Sequence, residues 1–306
     1  MKIASLVRLL LLAALWGGSF LFMRIAAPAL GSLVVSGARV SLGALGLVLL
    51  AALLRIPQRF DGKLRACLLL GVINSGIPFL LFAHAATVLP AGYSAILNAL
   101  TPLMGVLIGA AAFDERITPR KLGGISLGIG GVIVLCEVGR LSASQAALGG
   151  IVACLGATAC YALAGFLTKR WISDRGGLDS RMVALGSQLG AMLLLVPFMA
   201  WHASSASIAW DSIGPDVWLA MLALGLLCTS LAYVLYFRLI ADEGPLKALS
   251  VTFLIPPFGM LWGWLVLSEP VTLRQVLGGI LIAIALWLVV RPEKPRKIEP
   301  VEDWSI

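Results

Sequence analysis

The sequence predicts an all-α integral membrane protein, with ten transmembrane helices arranged as two inverted five-helix repeats. Three observations lead there. Of the 306 residues 60% are hydrophobic and only 12% are charged, and mean hydropathy is +0.99. Soluble domains carry about 25% charged residues, and a soluble chain this apolar would have too little polar surface to cover its core. The charges are also gathered between long charge-free runs. Finally, one block is written twice: "PLMGVLIGAAAFDERITPRKLGG" from Pro102 returns as "PPFGMLWGWLVLSEPVTLRQVLGG" from Pro256.

The charge-free runs are Leu9–Met23, Val40–Leu54, Ala66–Phe113, Leu122–Cys136, Leu141–Thr168, Met182–Trp201, Val217–Phe237, Ala248–Ser268 and Gln275–Val290. A bilayer-spanning helix needs roughly 20 mostly apolar residues. The longest run divides at Leu89–Pro90–Ala91–Gly92, where Pro and Gly favour a turn, which brings the count to ten spans. Backbone groups in lipid must pair within their own segment, so spans of this length read as helices. Lys2 and Arg8 ahead of the first span resemble a secretory signal. Arg24 follows that span directly and no small-x-small cleavage site is present, so it is read as a retained helix.

The formal charge of +8 points first to nucleic acid, but its distribution points to a membrane. With the N-terminus inside, the cytoplasmic loops and ends hold Lys2, Arg8, Arg55, Arg59, Lys63, Arg65, Arg116, Arg120, Lys121, Lys169, Arg170, Arg175, Arg181, Arg238, Lys247, Arg291, Lys294, Arg296 and Lys297. The opposite loops hold Arg140 and Arg274, while Arg24 and Arg39 lie in helices or at their ends. The positive-inside rule selects this orientation, with both termini cytoplasmic in the plasma (cell inner) membrane. Residues 292–306, Pro-broken and of mixed charge, read as a cytoplasmic tail. The five cysteines form no CxxC motif and sit in or beside apolar spans, as small packing residues do.

The repeat extends well beyond the two quoted blocks. At an offset of 154, Leu70–Gly71 meets Leu224–Gly225, Gly105 and Gly109 meet Gly259 and Gly263, and Glu115, Thr118, Arg120 and Gly124 meet Glu269, Thr272, Arg274 and Gly278. The first and sixth spans pair at a slightly shorter offset, Trp16 with Tyr161 and Arg24 with Lys169. The repeats are residues 1–137 and 138–291. Five is odd, so the second copy enters the bilayer from the opposite side, the plan of a carrier whose halves exchange conformations. The stretches "LLAALWGGSFLFMRIA" and "ILNALTPLMGVLIGAAAFDERITPRKLGGISLGIGGVIVL", with the second-half counterpart, resemble the EamA-domain family of the drug/metabolite transporter superfamily. The resemblance covers about residues 5–290. It implies ten helices, cytoplasmic termini and transport of small metabolites, often efflux. The second copy reads "SEPVT" where the first has "DERIT", so a role for Arg116 does not carry over.

Candidate residues follow from what a cavity for an amphipathic solute needs, apolar walls with a few fixed polar groups. Trp16, Phe79, Tyr161 and Tyr233 are aromatic residues well inside their spans, and Asn74, Asn98 and Gln188 are the deepest amides. Each also has a plain reading as helix–helix packing. Arg39 lies about 10 Å of helix from the outer turn; either it neutralises a substrate carboxylate or it pairs with carbonyls and a helix end. His84, near the outer end of the third span, is either a group titrating near neutral pH or an interfacial histidine. Glu115 and Glu269 stand three residues before Thr118 and Thr272, and read as turn residues before a capped helix rather than proton carriers. Gly105-x3-Gly109 and Gly259-x3-Gly263 let helices approach closely, as static packing or as a sliding seam. Pro78, Pro102, Pro256 and Pro257 mark kinks.

The reading is a secondary transporter, not an enzyme, moving an amino acid, analogue or drug-like solute across the plasma membrane by alternating access, in the efflux direction. Its central cavity would lie between spans 1–4 and 6–9. Spans 5 and 10, rich in Gly–Gly pairs, would brace the outside or form a homodimer seam. No Walker motif, metal cluster or other cofactor signature occurs, nucleic acid is no partner, and proton coupling and simple facilitation are both open. The rivals are a non-transporting membrane scaffold or receptor and an intramembrane enzyme; the latter lacks a paired carboxylate or Ser/His dyad within the spans.

Overall fold

A computed structural model describes residues 2–136, 145–205, 208–244, 248 and 250–290. The 137/138 boundary, Arg140, Lys247 and the 292–306 tail lie outside the described residues. Among those described, all regular structure is helical, with no strand. Seven helical stretches are long and apolar enough to cross a membrane, and Val251–Leu267 is apolar but shorter. Their outward surface carries Leu, Ile and Val together with Trp201, Trp218, Trp264 and Trp287, the dress of a lipid-facing surface. This is a multi-pass membrane protein.

The chain opens with α1 (Ile3–Leu53), two arms joined at Gly31. In a straight helix residues 19 and 39 would stand about 30 Å apart, yet Arg39 Nη2 lies 3.4 Å from Ser19 Oγ, so the chain reverses between them. Gly31 makes the reversal with φ 78° and ψ 155°, a conformation that only glycine adopts freely. Arg24 and Arg39 therefore both stand on helix, and the turn is narrower than the charge-free runs Leu9–Met23 and Val40–Leu54 imply.

A second rod is built from α2 (Leu64–Gly71), a π-helical turn (Val72–Gly76) and α3 (Ile77–Val88). After Leu89–Pro90 the chain returns as α4 (Ala91–Asn98) and α5 (Thr101–Ala112), then α6 (Pro119–Cys136). Next come α7 (Gln145–Trp171), α8 (Ser180–Ser205), and a rod of α9 (Pro215–Leu222), a second π-helical stretch (Ala223–Leu231) and α10 (Ala232–Glu243). α11 (Val251–Leu267) and α12 (Leu273–Val290) complete the described fold. The two π segments overlap when 154 is added to the first.

Caps form where the sequence places them. Thr118 Oγ1 accepts the Lys121 N–H at 3.4 Å at the start of α6. Thr272 accepts the Gln275 N–H at 3.2 Å, while Gln275 Oε1 accepts the Thr272 N–H at 2.8 Å, a reciprocal capping box. Asp179 caps α8 through the Arg181 N–H at 2.9 Å. Hydrogen bonds from the Arg181 side chain hold the Asp179 carboxyl below its ordinary range.

Helix crossings are set by glycines. α6 lies against α12, where a Cβ on Gly131 or on Gly278 would stand 3.0 Å from the other's carbonyl oxygen. The Gly–Gly pairs of these two helices thus face each other within one chain. α8 crosses α2 more closely still: a Cβ on Gly71 would stand 2.1 Å from the Ser187 carbonyl, and one on Gly190 2.0 Å from that of Leu68. The second arm of α1 crosses the second π segment in the same manner, Gly225 against Leu42 and Gly46 against Ser230.

Candidate functional site

Proline opens the helices where the polar side chains are needed. Pro78 and Pro102 have no N–H to give to residues 74 and 98, the i−4 carbonyls that an α-helix would bond there. The first rod widens to a π turn over Val72–Gly76, and the second breaks between Asn98 and Thr101, whose hydroxyl donates to the Asn98 carbonyl at 2.8 Å in place of the missing amide. Asn74 and Asn98 both border one cavity of about 310 Å³ at the centre of the helices. Its walls are aromatic. Trp16 lies 5.3 Å from Tyr236, Phe20 lies 5.4 Å from Phe82, and Phe82 stacks 6.0 Å from Tyr161.

Arg39 is the one charged residue in that lining. It is 6% exposed and is held on three sides. Nε donates to Thr229 Oγ1 at 3.2 Å, Nη2 to Ser19 Oγ at 3.4 Å, and Nη1 reaches Met23 Sδ at 3.7 Å. The guanidinium lies over the Phe79 ring, 3.7 Å from its centroid, the face a cation prefers. The second π segment prepares this arrangement: Thr229 sends its hydroxyl hydrogen to the Leu224 carbonyl at 2.9 Å, five residues back, leaving its oxygen free to accept from Arg39. π-bulges of this kind recur at functional sites.

The two ends of the bundle differ. At one end Glu269 Oε2 accepts the Ala91 N–H at 2.9 Å at the start of α4, and Oε1 pairs with Arg24 Nε at 3.4 Å. Arg24 Nη1 also donates to the Ala86 and Thr87 carbonyls, at 2.9 and 3.1 Å, near the end of α3. An anion at a helix N-terminus and a cation at a helix C-terminus are each favoured by the helix dipole, so the pair ties α1, the α3–α4 turn and the end of α11 together. Glu115 lies beyond the far end of the 22-residue rod Ala91–Ala112, about 33 Å away by helical rise. There Glu115 and Lys169 are exposed and share no ion pair among the described residues. Packing follows suit: Gly259 meets Ala95 and Gly17, while a Cβ on its counterpart Gly105 would meet nothing within 4 Å.

A model of the EamA-like transporter family matches residues 4–136 and again residues 148–291. The chain belongs to the EamA-like transporter family. Among its relatives is a protein named "Uncharacterized transporter YvbV" of Bacillus subtilis, 28% identical over 97% of this chain and 94% of that one. A "Probable amino-acid metabolite efflux pump" of Salmonella typhimurium is 26% identical, over 92% and 93% of the two chains. A "Probable terminal-alkyne amino-acid exporter" of Streptantibioticus cattleyicolor is 22% identical over 98% of each. A solved crystal structure with 16% identity matches this fold at a TM-score of 0.63, covering 94% of this chain and 98% of that one. Membership makes this protein a transporter rather than an enzyme.

In this EamA-family chain Trp16, Arg39, Asn74, Phe79, Asn98, Tyr161 and Tyr233 all border the one cavity. His84 does not. It stands five residues past Phe79, about 140° round the helix, and is exposed while Ala83 and Ala85 are buried. Gln188 is fully buried and donates to Ser75 Oγ at 3.1 Å, a link between α8 and the first π turn. Sequence reasoning missed Cys228, Thr229, Tyr236 and Thr252 in the lining. The repeat held the signal for three of them. Adding 154 to Asn74, Phe82 and Asn98 gives Cys228, Tyr236 and Thr252, as adding it to Phe79 gives Tyr233. Thr101 and Ile255, also in the lining, complete the series.

Proposed function

We propose that this EamA-family protein exports a small metabolite across the plasma membrane by alternating access, through ten spans in two inverted halves with both termini cytoplasmic. The observation that carries the reading is the cavity's composition. Five residues of one half, Asn74, Phe79, Phe82, Asn98 and Thr101, line it beside their counterparts 154 positions on, Cys228, Tyr233, Tyr236, Thr252 and Ile255. A site built from equivalent positions of two repeats sits at their common axis, where inverted-repeat carriers bind solute. The double match of the family model, the overlapping π segments and the reversal at Gly31 support the same reading. The unequal ends support alternation: one end is tied by Arg24 and Glu269, while the equivalent Lys169 and Glu115 stand apart. The excess of Lys and Arg on the Lys169 side supports a cytoplasmic position for that end. Relatives named for amino-acid metabolite efflux and amino-acid export favour a solute of that size and outward movement.

Counterflow in proteoliposomes, with a panel of amino acids, analogues and cationic dyes, tests it. Flux is expected for a subset of the panel, and none at all defeats the reading. Asn98→Ala is expected to lower that flux about five- to tenfold, the worth of one buried hydrogen bond, with unchanged yield and elution on size exclusion. No carboxylate lines the cavity among the described residues, so an imposed pH gradient is expected to leave the rate for a non-titrating solute unchanged.

A further inference from the structure

A guanidinium carries five N–H donors. At Arg39 the Nε donor goes to Thr229, one Nη2 donor to Ser19 and one Nη1 donor to a thioether, a weak acceptor. Each Nη nitrogen has two N–H groups, so one on each is left without a protein acceptor among the described residues. One donor on each terminal nitrogen is what a planar oxyanion takes from arginine in a two-pronged contact. The cation also has no counter-ion among the described residues. The ion pairs among the described residues occupy Asp242, Glu269 and Asp179, and no Asp or Glu lines the cavity. A cation held deep in a membrane protein without an acid is costly, and such residues mark function. If Arg39 only joined helices, a neutral hydrogen-bonding side chain would serve the same two hydroxyls at less cost.

We propose that Arg39 is the receptor for a carboxylate on the transported solute, and that the cavity selects monocarboxylates with an apolar or aromatic body whether or not they bear an amino group. The carboxylate neutralises the buried charge, while Trp16, Phe79 and Tyr161 supply flat apolar walls for the body. Asn74 and Asn98 are neutral; they accommodate an ammonium group without requiring one. A solute of net positive charge meets an unscreened guanidinium and is excluded. The proposal rests on the cavity being the transport site and goes beyond it by making the carboxylate required and the amino group dispensable.

Binding to the purified full chain in lipid nanodiscs, followed by tryptophan fluorescence and thermal shift, tests this. The ligands form two matched sets: phenylalanine, 3-phenylpropionate, phenylalanine methyl ester and phenethylamine, and their isobutyl-bodied equivalents. In at least one set the deaminated acid is expected within about fivefold of the amino acid, and the ester and amine about ten- to a hundredfold weaker. In Arg39→Gln the acid and ester are expected to bind alike, and Arg39→Lys to keep part of the preference. A helix-joining role would lower all four affinities together and leave their ratios intact. Equal binding of acid and ester by the wild type, or preference for the amine, overturns the proposal without any variant having to fold. So does the absence of binding by both sets. If counterflow then still moves a cation or an uncharged solute, the transport reading stands and only the carboxylate receptor is lost.

Discussion

Glu269→Gln is expected to open the cavity to the external side. In this state the Glu269 carboxylate takes the Ala91 amide and the Arg24 guanidinium together, at 17% side-chain exposure. Glutamine keeps an oxygen for the amide but loses the charge that Arg24 pairs with. A hydrogen bond to a charged group contributes about 1.5–3 kcal/mol, so the balance between the closed and open external mouth is expected to shift about ten- to a hundredfold. A single cysteine at the cavity, Asn98→Cys in a chain with the native cysteines replaced by alanine, reports it through its rate of labelling by a membrane-impermeant maleimide in right-side-out vesicles. Glu115→Gln provides the opposite arm. The Glu115 carboxylate forms no ion pair among the described residues here, so under the proposed alternation its loss is expected to destabilise only the other state, in which it would meet Lys169. External labelling is then expected to slow or stay unchanged. Acceleration by both substitutions, or by neither, would show that the two carboxylates are turn residues and not alternating ties.

The contrast between these two acids also shows how far the sequence could be read. Glu115 and Glu269 occupy equivalent places in the repeat and look alike in the chain, yet one is tied and the other forms no ion pair among the described residues. A motif written twice cannot say which of its copies finds a partner in the fold. Arg24 was legible as a charge at a span end, but its acid lies 245 positions away and no local pattern links the two. The cavity was more legible, because its chemistry is local. A deep amide four residues ahead of a proline occurs at Asn74 and at Asn98, and in both places the carbonyl that proline leaves without its α-helical amide goes with an opened helix and an amide at the cavity. His84 misled because an ionisable residue in an apolar run draws notice before its helical phase is counted. Arg39 was ambiguous in the sequence because its neighbours come from distant parts of the chain; among the described residues no carboxylate lines the cavity beside it.

The glycines supply the second large effect, and not at the two Gly-x3-Gly motifs that the repeat puts forward. Gly105 begins a small-x3-small pattern but has open space where a Cβ would go, whereas Gly71 and Gly190, the latter closing an unrepeated Gly186-x3-Gly190, sit where α2 and α8 touch backbone to backbone. A Cβ at Gly71 would stand 2.1 Å from the Ser187 carbonyl oxygen, and one at Gly190 2.0 Å from that of Leu68, with no flexible side chain to give way. The helices must part. Parting them also strains the Gln188–Ser75 bond at the same crossing, which stands beside Asn74 of the cavity. Gly71→Ala and Gly190→Ala are each expected to cost about 1–3 kcal/mol, as overpacking of a filled core does, seen as a fall of several degrees in thermal unfolding in detergent. Gly71→Leu is expected to leave no monodisperse protein on size exclusion. Gly105→Ala, by contrast, is expected to be neutral or stabilising by up to about 1 kcal/mol, because alanine favours helix over glycine and meets nothing there. Wild-type melting of Gly71→Leu would mean that α2 and α8 do not cross at these residues. The cavity would then lose the wall that holds Asn74 in place.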